Sequence, residues 1–114
     1  MIRSPILALP FALFAADAGA HTLAEATTPA DGAAVAAVPT LAMRFDDPVQ
    51  VIAVTLSSEG AEVGIERETD TAPATEFRAV PAKALAPGPY RLEWRGMSAD
   101  GHPVRGGFGF TVTE

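Results

Sequence analysis

Apolar residues recur at every second position along several stretches of the chain. Leu41, Met43 and Phe45 alternate with Ala42 and Arg44, and Tyr90, Leu92 and Trp94 alternate with Arg91, Glu93 and Arg95. Phe108, Phe110 and Val112 alternate with Gly109 and Thr111. A period of two puts these residues on one face of a strand, so each stretch predicts a strand with one face buried. Val51 to Leu56 is a continuous β-favouring run, closed by a hairpin turn at Ser58-Glu59-Gly60. Val63 and Ile65 predict a short return strand, Phe77 to Val80 a further strand, and Thr22 to Thr27 an edge strand. Asp46-Asp47-Pro48 is expected to break the strand that ends at Phe45. Pro29-Ala30-Asp31-Gly32 and Ala86-Pro87-Gly88-Pro89 are turn signals. Segments 66–75 and 96–107 read as loops, and the Ala-rich 33–37 as a helical turn or a plain connection.

The pattern is all-β. About seven strands separated by regular turns predict a small Greek-key β-barrel or Ig-like β-sandwich. No helical period is sustained. Phe45, Leu56, Phe77, Tyr90, Leu92, Trp94, Phe108 and Phe110 are the expected core, each contributing roughly 1.5–3 kcal/mol when buried. Met43 shares the phase of Leu41 and Phe45 and belongs with them. Met97 sits beside the 96–107 loop and is left unassigned.

Composition narrows the function classes. With 114 residues the chain holds at most one domain. Apolar residues make up 48% and charged ones 19%, which indicates a globular rather than a disordered chain. The absence of cysteine excludes a disulfide framework and any thiolate metal site. A net charge of −6 argues against nucleic-acid binding through a basic patch.

Residues 1–20 differ from the rest. Arg3 supplies a positive start, Ile6 to Ala16 is nearly all apolar, and Ala18-Gly19-Ala20 offers small residues at both recognition positions of a signal-peptidase site. The run is short for a membrane span. The expectation is a cleaved secretory signal over 1–20, leaving 21–114 as one mature domain that begins at His21.

The only two histidines, His21 and His102, then gain meaning. In extended backbone, side chains at i and i+2 point the same way, so Asp100 and His102 can face one ion. Pro103 favours extended backbone at His102, and Gly101 permits a bulge or a tight bend between the two. Ser98 is placed to brace this loop by hydrogen bonding. Taken alone, Asp-x-His fits a plain surface loop equally well. An N-terminal His21 would add its α-amine and Nδ1 to one ion in a six-membered chelate ring. Its amine has a reference pKa of about 7.7–8.0, so it deprotonates far more readily than lysine. Three nitrogens and a carboxylate suit tetragonal Cu(II) better than Mg or Ca, with Zn and Ni also compatible.

The ordered motifs resemble those of the CopC-type periplasmic copper-binding proteins. They are Thr27-x-Pro29-Ala30-Asp31-Gly32, Leu41-x-x-x-Phe45, Leu85-Ala86-Pro87-Gly88-x-Tyr90, Trp94, Ser98-x-Asp100-x-His102 and Gly107-Phe108-x-Phe110-x-Val112. The resemblance covers essentially the whole mature region. It implies a Greek-key barrel of Ig-like character and a Cu(II) site of His21, through amine and imidazole, with Asp100 and His102. Asp47, rather than Asp46, holds the place of an acidic residue seen in some members, as a supporting or weak axial ligand. A solvated turn carboxylate before Pro48 explains it equally well. Many members carry a Met-rich Cu(I) loop. Here the methionines are Met1, Met43 and Met97, and 66–76 contains none, so no soft thioether site is expected.

The resulting expectation is a periplasmic, monomeric Cu(II)-binding protein rather than an enzyme. The resemblance implies an inner-membrane CopD-like copper permease as its partner. Two alternatives stand beside it: a small copper oxidase-like enzyme with an N-terminal His chelate, and a metal-free Ig-like interaction module. Against the enzyme, the strands consume nearly all the aromatics, and a filled donor set leaves little room for oxygen chemistry.

Overall fold

A computed structural model of the protein describes residues 24–114. The strands are β1 Ala24–Thr28, β2 Ala33–Val35, β3 Leu41–Ser58, β4 Ala61–Val63, β5 Ile65–Arg67, β6 Ala74–Pro81, β7 Gly88–Ser98 and β8 Pro103–Val112. The expected leader over 1–20 and the expected ligand His21 lie outside the described residues.

The 18-residue strand β3 carries the architecture. Its first part pairs antiparallel with β1 and β6, and its second part with β4 and β7. The sheet runs β2-β8-β7-β3-β6-β5, with β1 and β4 attached to β3 off that path. Asp46-Asp47-Pro48 was expected to end a strand, but β3 passes through it. The ladder to β6 shifts between Arg44 and Val49, and the ladder to β7 begins at Val49. A proline is tolerated there because it falls at an irregularity between two ladders.

Eight strands stand where about seven were expected. The single return strand at Val63 and Ile65 is two, because the chain leaves β3 after Val63 and joins β6 at Ile65. The segment 33–35 is neither a helical turn nor a plain connection. It forms β2, parallel to β8, where the Asp31 carboxylate accepts Gly109 N–H at 2.9 Å and Gly32 N–H donates to Gly109 O at 2.7 Å.

All eight expected core residues are buried, joined by Leu41, Met43, Val49, Val51, Ala79 and Val112. They form one cluster. Tyr90 stacks on Phe110 at 5.5 Å and its hydroxyl donates to Ala86 O at 2.7 Å. The Leu85-to-Tyr90 motif is therefore a corner in which a tyrosine ties its strand to the preceding turn.

The polar segment 66–75 is held more firmly than an exposed loop. Arg67 sits over the Phe77 ring at 5.0 Å and donates to Val51 O at 2.8 Å, Asp70 O at 3.0 Å and Thr69 O at 3.1 Å. One guanidinium thus fastens the segment to β3 through backbone carbonyls.

Candidate metal centre

The loop between β7 and β8 is much shorter than the expected 96–107. Gly96 and Met97 pair with Val104 and Pro103, so the ladder closes almost to the tip. Gly101 N–H donates to Ser98 O at 2.9 Å, and Ser98 N–H to His102 O at 2.8 Å. Gly101 has φ of 87°, which a side-chain-bearing residue adopts only with strain. This is a three-residue hairpin loop whose third position is left-handed.

That loop brings Asp100 and His102 together. His102 Nδ1 lies 3.1 Å from Asp100 Oδ1, and the two side chains are 75% and 71% exposed. Ser98 anchors both residues. Its hydroxyl donates to Asp100 Oδ1 and accepts His102 N–H, the latter at 3.2 Å. The Ser98 hydroxyl, and next the His102 imidazole, lower the Asp100 pKa from 3.8 to about 2. A carboxylate and an imidazole are therefore presented side by side to solvent, the carboxylate firmly ionised. The sequence suggested Ser98 only as a brace for the loop; the structure gives it both partners.

Asp47 is exposed on β3. Val49 pairs with Ser98, so the 46–48 bend lies at the same end of the sheet as the Asp100–His102 turn. The described residues contain no group of three His, Cys, Asp or Glu that could hold a metal, so Asp47 is not gathered with Asp100 and His102. His21 lies outside the described residues, but β1 starts at this same end, since Ala24 pairs with Phe45. Met43 is buried, as expected from its phase, and Met97 is half-buried on the ladder beside the turn.

The CopC domain model matches residues 24–113. The chain belongs to the CopC family. The copper resistance protein C of Xanthomonas campestris pv. juglandis is 30% identical over 125 residues, spanning 97% of this chain and 94% of that protein. Two solved structures share the fold. PcoC of Escherichia coli, a methionine-rich copper resistance protein, matches with a TM-score of 0.68 and 26% identity over 82% of this chain and 100% of that one. CopC of Methylosinus trichosporium OB3b matches with a TM-score of 0.66 and 26% identity over 82% of this chain and 94% of that one. This CopC-family chain has only three methionines, which sets it apart from the methionine-rich PcoC.

Proposed function

We propose that this chain is a periplasmic Cu(II)-binding protein that takes up or hands over copper. It is exported by a leader cleaved after Ala20. The ion is cargo, held by the amine and imidazole of His21 with Asp100 and His102, and Asp47 is a weak further donor. The single observation that carries the reading is the Asp100–His102 pair, fixed on a hairpin tip at the end of the sheet where β1 starts. His21 stands three positions before Ala24 in the sequence, a contour length of at most about 10 Å. A neutral imidazole nitrogen and an ionised carboxylate suit Cu(II) once two further nitrogens join them. The protein acts as a monomer that binds rather than catalyses, and a CopD-like inner-membrane permease is its exchange partner.

Mass spectrometry of the exported protein, apo and copper-loaded, tests this together with electron paramagnetic resonance. The expected result is an N-terminus at His21, one copper per chain and nitrogen-rich tetragonal Cu(II). An N-terminus elsewhere removes the amine ligand. Copper that turns over peroxide points to the oxidase alternative. No stoichiometric copper at all leaves the metal-free interaction module.

A further inference from the structure

The outer face of the β7–β8 hairpin carries a second feature, independent of the metal. Arg95 and Arg105 are direct partners across the ladder, and both are exposed. Like charges directly opposite each other on a sheet are destabilising. The other described arginines are neutralised or satisfied. Arg44 pairs with Glu25, Arg78 with Glu68 and Glu76, and Arg91 with Glu93, while Arg67 is held by carbonyls. Among the described residues, Arg95 and Arg105 have neither a carboxylate within ion-pair distance nor a carbonyl acceptor.

These two arginines border an open trough of about 710 Å³ with small residues, Ala53, Thr55 and Gly107, on its lining. The Arg91 guanidinium reaches across the ladder over Gly107, where an added Cβ would lie 2.9 Å from its Nη2. The trough therefore gathers three arginines against one glutamate, in a chain of net charge −6.

We infer that this trough is a docking site for a carboxylate-rich polypeptide segment of a partner protein, with one carboxylate bridging Arg95 and Arg105. Guanidinium forks bind carboxylates through paired, charge-assisted hydrogen bonds, and an incoming carboxylate would remove the repulsion between the two. A recess lined in part by Ala53, Thr55 and Gly107 admits an extended segment, which a planar lipid surface would not fill. A second copy of this chain is disfavoured by repulsion between two bodies of net charge −6. The site sits on the same hairpin as Asp100 and His102 but on its outer strand positions. It goes beyond the copper reading and does not depend on it.

The test uses the full chain without added metal and a synthetic hexaglutamate peptide at low salt. Guanidinium Nε–H resonances are followed by NMR, and affinity is measured by calorimetry for wild type, for the Arg95→Gln/Arg105→Gln double variant and for Arg78→Gln. The expected result is movement of the Arg95 and Arg105 resonances while Arg44 and Arg78 stay still. Affinity should fall about tenfold in the double variant and stay at the wild-type value in Arg78→Gln. The double variant without peptide should also have a raised denaturation midpoint, because the like-charge opposition is gone. Uniform movement of all arginines, or equal weakening by Arg78→Gln, overturns the inference in favour of diffuse charge attraction. Binding of anionic vesicles in place of the peptide, or concentration-dependent dimerisation that occupies the trough, overturns it in favour of a lipid or a second copy.

Discussion

Asp100 and His102 face each other at 3.1 Å, and the same Ser98 hydroxyl holds the carboxylate of one and the backbone amide of the other. Ser98→Ala should therefore loosen the pair without touching any donor atom. Copper affinity should drop several-fold, while apo stability changes by about 0.5 kcal/mol or less, as for surface substitutions generally. The Asp100 pKa, held at about 2 chiefly by that hydroxyl, should rise towards 3.8. Calorimetric copper titration and an NMR titration of the Asp100 carboxyl check the two halves. Unchanged values in both would make the hydroxyl a bystander.

The same pKa sets an acid window. Asp100 is depressed in the folded state, so its contribution is complete above the ordinary carboxylate value and is lost as pH falls from about 4 towards 2. Because the carboxylate is largely exposed, the effect on apo stability should be slight. Urea midpoints of wild type and Asp100→Asn across pH 2–6 should differ slightly at pH 6 and converge at the acid end. Divergence on acidification would reverse the sign and contradict the Ser98 and His102 contacts.

His102→Ala and Asp100→Asn should both weaken copper binding, and His102→Ala more. The first removes an imidazole donor that Cu(II) favours; the second keeps the shape and removes only a charge. Copper-induced stabilisation should shrink in the same order, since it follows RT ln(1 + [L]/Kd). Paired melting curves, apo and copper-loaded, decide it. Full copper shifts in both variants would move the site elsewhere. Unfolded apo forms would make the turn structural.

The alternation of Leu41, Met43 and Phe45, of Tyr90, Leu92 and Trp94, and of Phe108, Phe110 and Val112 makes the core legible in the sequence. All nine residues are buried. What stayed hidden depended on partners distant in sequence. The segment 33–35 has no strand period; it is a strand because Asp31 and Gly32 bond to Gly109, far along the chain. Asp46-Asp47-Pro48 reads locally as a break, and only the change of ladder partner at Val49 explains why β3 survives it. At the site, the sequence marks Asp100 and His102 as able to meet, through extended backbone or a bend at Gly101, and it is the left-handed bend that brings them together. Nothing local shows that one serine serves both, or that Arg67 would thread into the carbonyls of Val51, Thr69 and Asp70.

Arg67 gives a prediction of its own. Its guanidinium bonds to the carbonyls of Val51, Thr69 and Asp70 and packs on Phe77. Arg67→Ala leaves those carbonyls without a donor and should destabilise the fold by about 2 kcal/mol. Arg67→Lys should recover little, because an ammonium lacks the planar fork. Urea denaturation measures both, and hydrogen exchange of 68–72 should quicken in step. A wild-type midpoint for Arg67→Ala would mean that the segment is held by other contacts.

Gly96 precedes the candidate ligand pair and Gly101 lies between its two members, and they should fail differently when given a side chain. At Gly101 the backbone has φ of 87° with open space around it, so Gly101→Ala meets only conformational strain, about 1–2 kcal/mol. At Gly96 the backbone is ordinary, but a Cβ would press on the Gln50 carbonyl oxygen and lie 3.0 Å from its carbon and 3.1 Å from Val51 Cα. These are main-chain atoms of β3, so no side chain can swing aside. Relief requires β3 and β7 to separate beside the ladder irregularity between Val51 and Ala53. Overpacking of this kind costs about 1–3 kcal/mol or more. The expected outcome is a larger loss of apo stability for Gly96→Ala than for Gly101→Ala. Copper affinity should run the other way, because Gly101→Ala distorts the turn that pairs Asp100 with His102, whereas Gly96→Ala strains the ladder below it. Urea midpoints and copper titrations on the two variants read both orders. A Gly96→Ala midpoint equal to wild type would show slack between β3 and β7, and a Gly101→Ala variant with full copper affinity would show that the left-handed turn is not what holds the ligand pair.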